Sequence, residues 1–548
     1  MGKPKGHERG RLLVVRARRT LTRLRQLSQK FGSRSDQLFA ALGAFLVAGV
    51  VLRLWHFASG SSLWLDEAYV ATSIINRNWA GLLQSLEYGQ VAPIGWLLIE
   101  KAAFEVLGGV EYSLRFPQFI LGLAALVMFW LMSRRILGPA GSVIAVALFS
   151  LSPHLVLYSA NVKPYGVDAA LSVVFLLFGV RYFVQKAVLT QFDFTALLII
   201  GTAALACSFP APFLLAGLGG PLFIREALSR RPFTAFAVAT LGAVWLAVFI
   251  CLHINFYRMD SPNVQTMASE WAGGFAPFPP LSKSAVKWYA ETLFSMFKFV
   301  FGEATALTAL VAAGVGAIAV ARRNPWLGAA ILSPFAIALA ASSLHLYPFG
   351  GRLIIVFVPQ LIFLVATGVD VAIASIRAPL IAANVALVAL AFGSATSLWG
   401  EFTYYPAPFS REHIRPVLSE IAARREKSEP IYVDQGALPA FRIYQGRVGL
   451  ADATVMEGRN TGGDLRCFLA NIDFMRRHRR IWIVYTRTGQ IMGQPEELAL
   501  KYFAALTGRE IFAIHSISVH AFLYEFDSND AEHFTMLLRA LPSSGPCS

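Results

Sequence analysis

Charge is scarce in this sequence. Of its 548 residues only 15% are charged, whereas 56% are hydrophobic and 13% are aromatic. This shortage excludes an ordinary soluble globular protein and predicts a polytopic α-helical membrane protein. The polar C-terminal part, from about Phe402, also lacks a glycine-rich phosphate loop after a strand, so we predict no nucleotide-binding site in it.

Cysteine is also rare, with four residues in the chain. Cys207 and Cys251 lie in apolar segments, and Cys467 and Cys547 lie in the polar C-terminal part without the spacing of a zinc site. We therefore predict no zinc centre. A disulfide bond between Cys467 and Cys547 is one alternative outside the cytoplasm, and two free thiols are the other.

The few charges are unevenly placed, and the first 37 residues are strongly basic. They hold eleven Lys or Arg residues against Glu8 and Asp36. Ahead of a membrane span, such a tail is predicted to be cytoplasmic and to contact anionic lipids. A nucleic-acid-binding arm is the alternative, but the apolar segment that follows favours the membrane, so we expect no nucleic acid partner. That segment is too long for a removable signal peptide and is predicted to stay as an anchor.

Apolar segments of about twenty residues recur along the chain and predict about eleven membrane spans. The predicted spans are 38–57, 115–133, 139–157, 166–184, 194–208, 210–226, 234–254, 303–321, 325–343, 353–372 and 379–397. The basic pairs Arg134/Arg135, Arg230/Arg231 and Arg322/Arg323, with Lys186 and Arg377, then all fall on cytoplasmic turns. Eleven spans place the C-terminus outside.

The first outer loop, 58–114, is predicted to hold short helices at the membrane surface. Val91 to Leu107 is apolar but short and contains Glu100 and Lys101, so we predict a surface-lying or half-inserted helix that opens at Pro93. A second amphipathic helix is predicted from apolar residues at helical spacing. These residues are Trp79, Leu82, Leu83 and Leu86.

Four outer segments carry the polar groups that a reaction at the membrane surface needs. The first outer loop contains the adjacent carboxylates Asp66 and Glu67, and the larger outer loop 255–302 contains further charged residues. The turn 158–168 contains Tyr158, Lys163, Tyr165 and Asp168, and the connection 345–352 contains His345, Tyr347 and Arg352. Acidic groups on one segment and cations on others suit an acceptor hydroxyl and a leaving phosphate.

The composition changes to that of a soluble domain near Phe402, and residues 398–548 are predicted to form a small α/β domain on the outer face. The predicted elements are helices at Arg411–Arg425, Leu438–Tyr444 and Glu496–Leu506, strands at Pro430–Asp434 and Arg480–Thr486, and two strands within Glu510–Phe526 joined near Ser518.

The membrane part, 38–397, resembles the GT-C superfamily of integral-membrane glycosyltransferases. The similar families are the bacterial relatives of dolichyl-phosphate-mannose protein mannosyltransferases and aminoarabinose transferases. The landmarks are Asp66–Glu67, the proline-led helix at Pro93, Arg115-Phe116-Pro117, the tyrosine-bounded turn 158–165 and the segment 347–352. In many relatives the turn carries Glu and Arg where this chain has Asn161 and Lys163, so the cation is kept and the acid is lost.

The resemblance implies inverting transfer of a sugar from a polyprenyl-phosphate donor to a glycan, lipid or protein acceptor on the periplasmic face of a bacterial inner membrane. Asp66 would act as the base and Glu67 would orient or bind. Lys163 and Arg352, with Tyr165 and His345, would bind the donor phosphate. Asp168 would hold Lys163, and Tyr158 and Tyr347 would support the site. Some superfamily members use a divalent metal ion, but an acidic pair alone supplies too few ligands to assign one.

Simpler interpretations of the same residues stay open. The acidic pair would also cap a loop helix, and Lys163 and Arg352 would also anchor span ends at lipid phosphates. The tyrosines fit the aromatic belt of any membrane interface, and His345 fits a hydrogen-bonded interface residue. A lipid or solute transporter and a non-catalytic envelope assembly protein are the alternative functions, although the polar clusters lie at span ends rather than at mid-span.

Overall fold

A computed structural model describes residues 40–257, 261–374, 379–403, 409–459, 464–486, 490–491, 494–495 and 508–526. The basic tail 1–37, Arg377, Cys547 and the predicted helix Glu496–Leu506 lie outside these residues. The described chain is mostly helical up to Thr403 and then forms a mixed α/β domain. The predicted fold class, a polytopic α-helical membrane protein with a C-terminal α/β domain, is confirmed.

The helices of the membrane part follow one another with short connections. They are α1 (Ala40–Ala58), α2 (Leu65–Asn76), α3 (Ile94–Leu107), α4 (Glu111–Ile136), α5 (Pro139–Leu151), α6 (Pro153–Leu157), α7 (Tyr165–Gly179), α8 (Gln191–Cys207), α9 (Ala211–Leu228), α10 (Pro232–Phe256), α11 (Pro262–Glu270), α12 (Lys283–Phe301), α13 (Ala306–Arg323), α14 (Pro325–Ser343), α15 (Val358–Ala374) and α16 (Pro379–Thr403).

Each of the eleven predicted spans corresponds to helical structure, but not all are long single helices. Among the described residues, nine helices are long and apolar enough to cross a membrane. The predicted span 139–157 is instead the pair α5 and α6, bent by 53° where Pro153 interrupts the helix. The predicted span 194–208 is α8, whose 17 residues extend only about 25 Å, less than the thickness of a bilayer core.

The loop 58–114 contains two helices, α2 and α3. One helix predicted in this loop is not present. α3 begins after Pro93 as expected and is too short to be counted as a span. The predicted amphipathic helix around Trp79 to Leu86 is wrong, because a 3₁₀ turn, Gly81–Leu83, is the helical structure there. Leu82 and Leu86 are both buried in a core that this loop shares with the C-terminal domain, so their spacing reflects packing of an irregular segment.

The central helix α15 follows the segment that holds Arg352 at one end of the bundle. It is preceded by a continuous 3₁₀ segment, Gly351–Phe357, and its residues are almost all buried. α15 crosses α13 at very close range, where a Cβ on Gly316 would meet the Leu364 carbonyl oxygen at 1.9 Å. Glycine is required at this crossing, and the crossing fixes the height at which Arg352 leaves the bundle.

The basic pairs gather at the other end of the bundle. Arg134/Arg135 end α4, and Arg322/Arg323 end α13. Asp370, near the end of α15, accepts hydrogen bonds from the backbone N–H groups of Gly138 and Gly141, both at 2.6 Å, and so caps α5 at that end. Arg352 and the basic pairs therefore lie at opposite ends of the helices.

The C-terminal domain is built on one five-stranded sheet. Its elements are α17 (Ile414–Arg424), β1 (Ile431–Val433), α18 (Leu438–Tyr444), β2 (Val455–Glu457), α19 (Leu465–Met475), β3 (Arg480–Thr486), β4 (Gln490–Ile491), β5 (Gln494–Pro495), β6 (Gly508–Ser516) and β7 (Val519–Phe526). The strand order is β2-β1-β3-β7-β6, with β1 parallel to both neighbours and β7 antiparallel to both of its neighbours.

Most of the predicted elements of this domain are confirmed. The helix at 438–444, the strands at 431–433 and 480–486, and the paired strands joined near Ser518 are present. The sequence did not predict β2 or α19. Cys467, on α19, is disulfide-bonded, whereas Cys207 and Cys251 are free thiols.

Candidate active site

Asp66 and Glu67 occupy the first turn of α2 but face different surroundings. The Glu67 side chain is completely buried and accepts two hydrogen bonds from the Arg115 guanidinium, at 2.6 and 3.1 Å. It also accepts from the backbone N–H of Trp64 at 3.4 Å and of Val162 at 2.8 Å. One carboxylate therefore ties the start of α2 to α4 and to the turn that carries Lys163.

The Asp66 side chain is partly open. It forms an ion pair with Arg352, and the two side chains are 21% and 23% exposed. The Arg352 guanidinium lies between two aromatic faces, 5.8 Å from the ring centre of Tyr165 and 5.6 Å from that of Trp271. Segments far apart in sequence thus meet at Asp66, as predicted for the outer segments.

Lys163 is the second cation of this cluster and is buried. Its Nζ donates to Gln90 Oε1 at 3.0 Å, and Asn263 of α11 holds Gln90 by donating to its backbone carbonyl at 3.0 Å. Burial lowers the pKa of Lys163 to about 8, opposed by the negative charges of Asp66, Glu67 and Glu270 and assisted by the positive charge of Arg352. A lysine of this kind changes charge near physiological pH.

The predicted contact between Asp168 and Lys163 is wrong. Asp168 Oδ1 accepts from the Ser208 hydroxyl at 2.6 Å, in the connection between α8 and α9. Pro164 is the N-cap residue of α7, so Lys163 lies before the helix, whereas Asp168 lies in its first turn. Asp168 therefore fastens α7 to the α8–α9 connection, while Gln90 orients Lys163.

The remaining predicted residues divide into two groups. Tyr158 packs edge-on against Tyr165 with ring centres 4.8 Å apart, so both belong to the wall beside Arg352. Tyr347 is further back, where its hydroxyl donates to the Leu353 carbonyl at 3.0 Å. His345 is exposed and stacks on Phe275 rather than on the Asp66 cluster.

A contact between the C-terminal domain and the Asp66 loop was not predicted from the sequence. Glu412 Oε2 accepts from the backbone N–H of Leu65 at 2.8 Å, one residue before Asp66. The Tyr444 hydroxyl accepts from the backbone N–H of Leu63 at 2.9 Å, and Arg415 forms an ion pair with Glu111 at the start of α4. These side chains, which we call the C-terminal clasp, have no local sequence signature because each is an ordinary polar residue in its own segment.

The clasp leads to a testable expectation for Tyr444→Phe. The change leaves the buried backbone N–H of Leu63, close to Asp66, without its acceptor, which costs about 1–3 kcal/mol of folding stability. We expect a lower unfolding temperature together with reduced activity at a temperature where the variant is folded. Tyr524→Phe removes a buried hydroxyl from β7, away from the clasp. Equal activity of the two variants at equal folded fraction would contradict a role for the clasp in placing Asp66.

The acidic pair does not form a metal site in this arrangement. Glu67 is engaged by Arg115, and Asp66 is engaged by Arg352, so the two carboxylates do not converge on one point. Within the described ranges, no three His, Cys, Asp or Glu side chains are grouped as metal ligands. These residues do not fit a divalent ion without rearrangement of both ion pairs.

Known proteins resemble this chain in a part of its sequence and in its fold. Residues 91–254 match the family described as dolichyl-phosphate-mannose-protein mannosyltransferase. No curated protein matches the chain in sequence. Among solved structures, the Archaeoglobus fulgidus oligosaccharyltransferase complex with Zn and sulfate is similar at 14% identity, a TM-score of 0.51, and coverage of 89% of this chain and 74% of that one.

Two solved structures of Cupriavidus metallidurans ArnT are similar to this chain to the same degree. The match to the apo structure covers 90% of this chain and 98% of the ArnT chain. The match to the structure bound to undecaprenyl phosphate covers 89% of this chain and 98% of the ArnT chain. Both matches have 12% identity and a TM-score of 0.51. The chain shares the fold of ArnT and of the archaeal oligosaccharyltransferase. The predicted resemblance to the GT-C superfamily is confirmed at the level of the fold.

Proposed function

We propose that this protein transfers a sugar from a polyprenyl-phosphate donor to an acceptor hydroxyl on the periplasmic face of a bacterial inner membrane, with inversion at the anomeric carbon. The observation that carries the proposal is the meeting of one partly open carboxylate, Asp66, with two cations, Arg352 and Lys163, at one end of the bundle. The GT-C fold and the undecaprenyl phosphate bound by ArnT support this donor class.

In the proposed reaction, Asp66, Arg352 and Lys163 each have a separate role. Asp66 takes the proton of the acceptor hydroxyl while the acceptor oxygen forms its bond to the anomeric carbon from the face opposite the phosphate. The bond between that carbon and the phosphate oxygen breaks, and its electron pair leaves with the polyprenyl phosphate. Arg352 and Lys163 stabilise the charge on the departing phosphate in a site largely closed to water.

The ion pair between Asp66 and Arg352 suggests an order of events. In the free protein Arg352 neutralises Asp66. A donor phosphate is a competing partner for the same guanidinium, and its binding would release the carboxylate to act as base. The base is thus most available when the donor is in place.

The proposed topology has two supports. The basic pairs lie at the end of the helices opposite Arg352, and the preference of basic residues for the cytoplasmic side supports a site on the outer face. The disulfide bond at Cys467 fits an oxidising compartment for the C-terminal domain. Outside the cytoplasm no nucleotide sugar is available, so a lipid-linked donor enters from the bilayer.

The test is sugar transfer in proteoliposomes from a panel of radiolabelled polyprenyl-phosphate sugars, with envelope extract as the source of acceptors. Transfer that depends on the protein supports the proposal. Movement of the donors across the bilayer without transfer would instead indicate a transporter. Neither transfer nor movement, with a stable complex formed in the extract, would indicate an assembly protein.

The pKa of Lys163 gives a separate expectation. Lys163 is charged below pH 8 and neutral above it, so kcat/KM for the donor should fall as pH rises through about 8. Lys163→Arg keeps its charge to a much higher pH and should remove this fall. An identical pH profile for the wild type and Lys163→Arg would exclude Lys163 as the titrating group.

A further inference from the structure

A cavity of about 610 Å³ opens beside Arg352 and has no role in the reaction described so far. It lies between α12, the connection that follows α11, and the segment that leads into α15. Its size falls within the range of roughly 300–1,000 Å³ that is typical of small-molecule sites.

Glycine backbone forms part of the cavity lining, beside the apolar side chains Met296, Phe299, Phe349 and Ile354. A Cβ atom on Gly273 or on Gly350 would have no neighbour within 4 Å. Gly351 has a φ of +52°, and a Cβ there would lie 3.3 Å from the Trp271 ring. The absence of side chains at these positions leaves a flat, open surface between two aromatic walls.

The walls are two tryptophans, and the rim carries carboxylates. Trp271 stands on one side, and Trp288 of α12 on the other, where its indole N–H donates to the Gly273 carbonyl at 3.0 Å and fixes the ring. Glu270 and Glu291 also line the cavity. Glu291 is 64% exposed and lies 3.6 Å from Lys287, so it is available at the rim.

This combination matches the surface of a sugar ring. The C–H groups on one face of a pyranose carry partial positive charge and pack on the negative face of an indole ring. The hydroxyl groups at the edge of the ring are donors that carboxylates accept. A lipid acyl chain, in contrast, makes no use of the rim carboxylates, and a phosphate would be repelled by them.

We propose that the cavity between Trp271 and Trp288 binds a pyranose ring, with Glu270 and Glu291 accepting hydrogen bonds from its hydroxyl groups. Trp271 packs on Arg352, which pairs with Asp66, so the ring lies next to the proposed reaction centre. The role of this ring in transfer rests on the proposed function. The ring belongs either to the donor or to a glycan acceptor.

Binding is tested without any transfer reaction. Saturation-transfer NMR with methyl glucoside, galactoside and mannoside on the purified protein should show saturable binding of at least one glycoside. Trp288→Ala should weaken it by about tenfold or more, whereas Trp288→Phe, which keeps a ring, should weaken it less. Trp288 is chosen because Trp271 also holds Arg352. Trp79→Ala removes an exposed tryptophan of the first outer loop and should leave binding unchanged.

Two binding results would overturn the proposal. One is the lack of saturable binding of all three glycosides to wild-type protein. The other is equal binding to wild type and to Trp288→Ala when both are monodisperse and give the same circular dichroism. A competition experiment provides a third result that would overturn the proposal. Displacement of the glycoside signal by an alkyl phosphocholine, but not by a second glycoside, would identify a lipid site instead.

Kinetics then distinguish the two sources of the ring. If the donor supplies it, Trp288→Ala raises the KM for the donor about tenfold and leaves the KM for the acceptor unchanged; if the acceptor supplies it, the effects are reversed. An unchanged KM for both would overturn the role of the cavity in transfer. If the wild type transfers no sugar at all, the proposed function fails, while the NMR result still decides whether the cavity is a sugar site.

Discussion

Asp66→Asn is expected to lower kcat for sugar transfer by about 10²–10⁴-fold, because the amide cannot take the proton of the acceptor hydroxyl. The same change removes the negative partner of Arg352 and frees this cation for the donor phosphate. The KM for the donor should therefore stay the same or fall. A large loss in kcat without a rise in donor KM is the pattern expected of a base and not of a binding residue.

The control for Asp66→Asn is Glu105→Gln on α3. Glu105 is a half-exposed carboxylate of the same outer loop that pairs with Lys101. Its amide variant should keep wild-type kcat, and both proteins should give the same unfolding temperature within a few degrees. Equal transfer by wild type and Asp66→Asn would remove Asp66 from the chemistry and leave the GT-C fold unaffected.

The positions of the long helices could be predicted because they depend on local sequence. An apolar stretch of about twenty residues is sufficient information for a span, and Pro93 is sufficient for the start of α3. The convergence of Asp66 with Arg352 followed from the same topology, since alternate connections between spans lie on one side of a membrane.

Other features depended on partners that are distant in sequence. The partners of Glu67 were not predicted, because Arg115 and the Val162 N–H lie 48 and 95 residues away in sequence. The predicted helix over 79–86 failed because burial against neighbouring segments can imitate helical spacing. Asp168 was assigned to the nearest cation in sequence, whereas its partner, Ser208, is 40 residues away.

Arg115→Met is expected to be the most destabilising of the changes considered, at about 3–5 kcal/mol. It leaves Glu67 as an uncompensated charge in a site that is closed to water. The double variant Glu67→Met/Arg115→Met removes both charges and should recover much of this loss. Recovery should be incomplete because the buried N–H of Val162 loses its acceptor, at a cost of about 1–3 kcal/mol. Unfolding of the purified proteins in detergent measures these differences.

Activity of Arg115→Met, the double variant and the single variant Glu67→Met decides between a positioning role and a catalytic role for Glu67. If Glu67 and Arg115 act as one unit that holds α2 against the Lys163 turn, Arg115→Met, Glu67→Met and the double variant should lose similar activity at equal folded fraction. Recovery of stability in the double variant should then bring no recovery of transfer, since replacing Glu67 also removes its hydrogen bond with the Val162 N–H. A Glu67→Met variant that is inactive beside an Arg115→Met variant with wild-type activity would instead place the Glu67 carboxylate in the reaction itself.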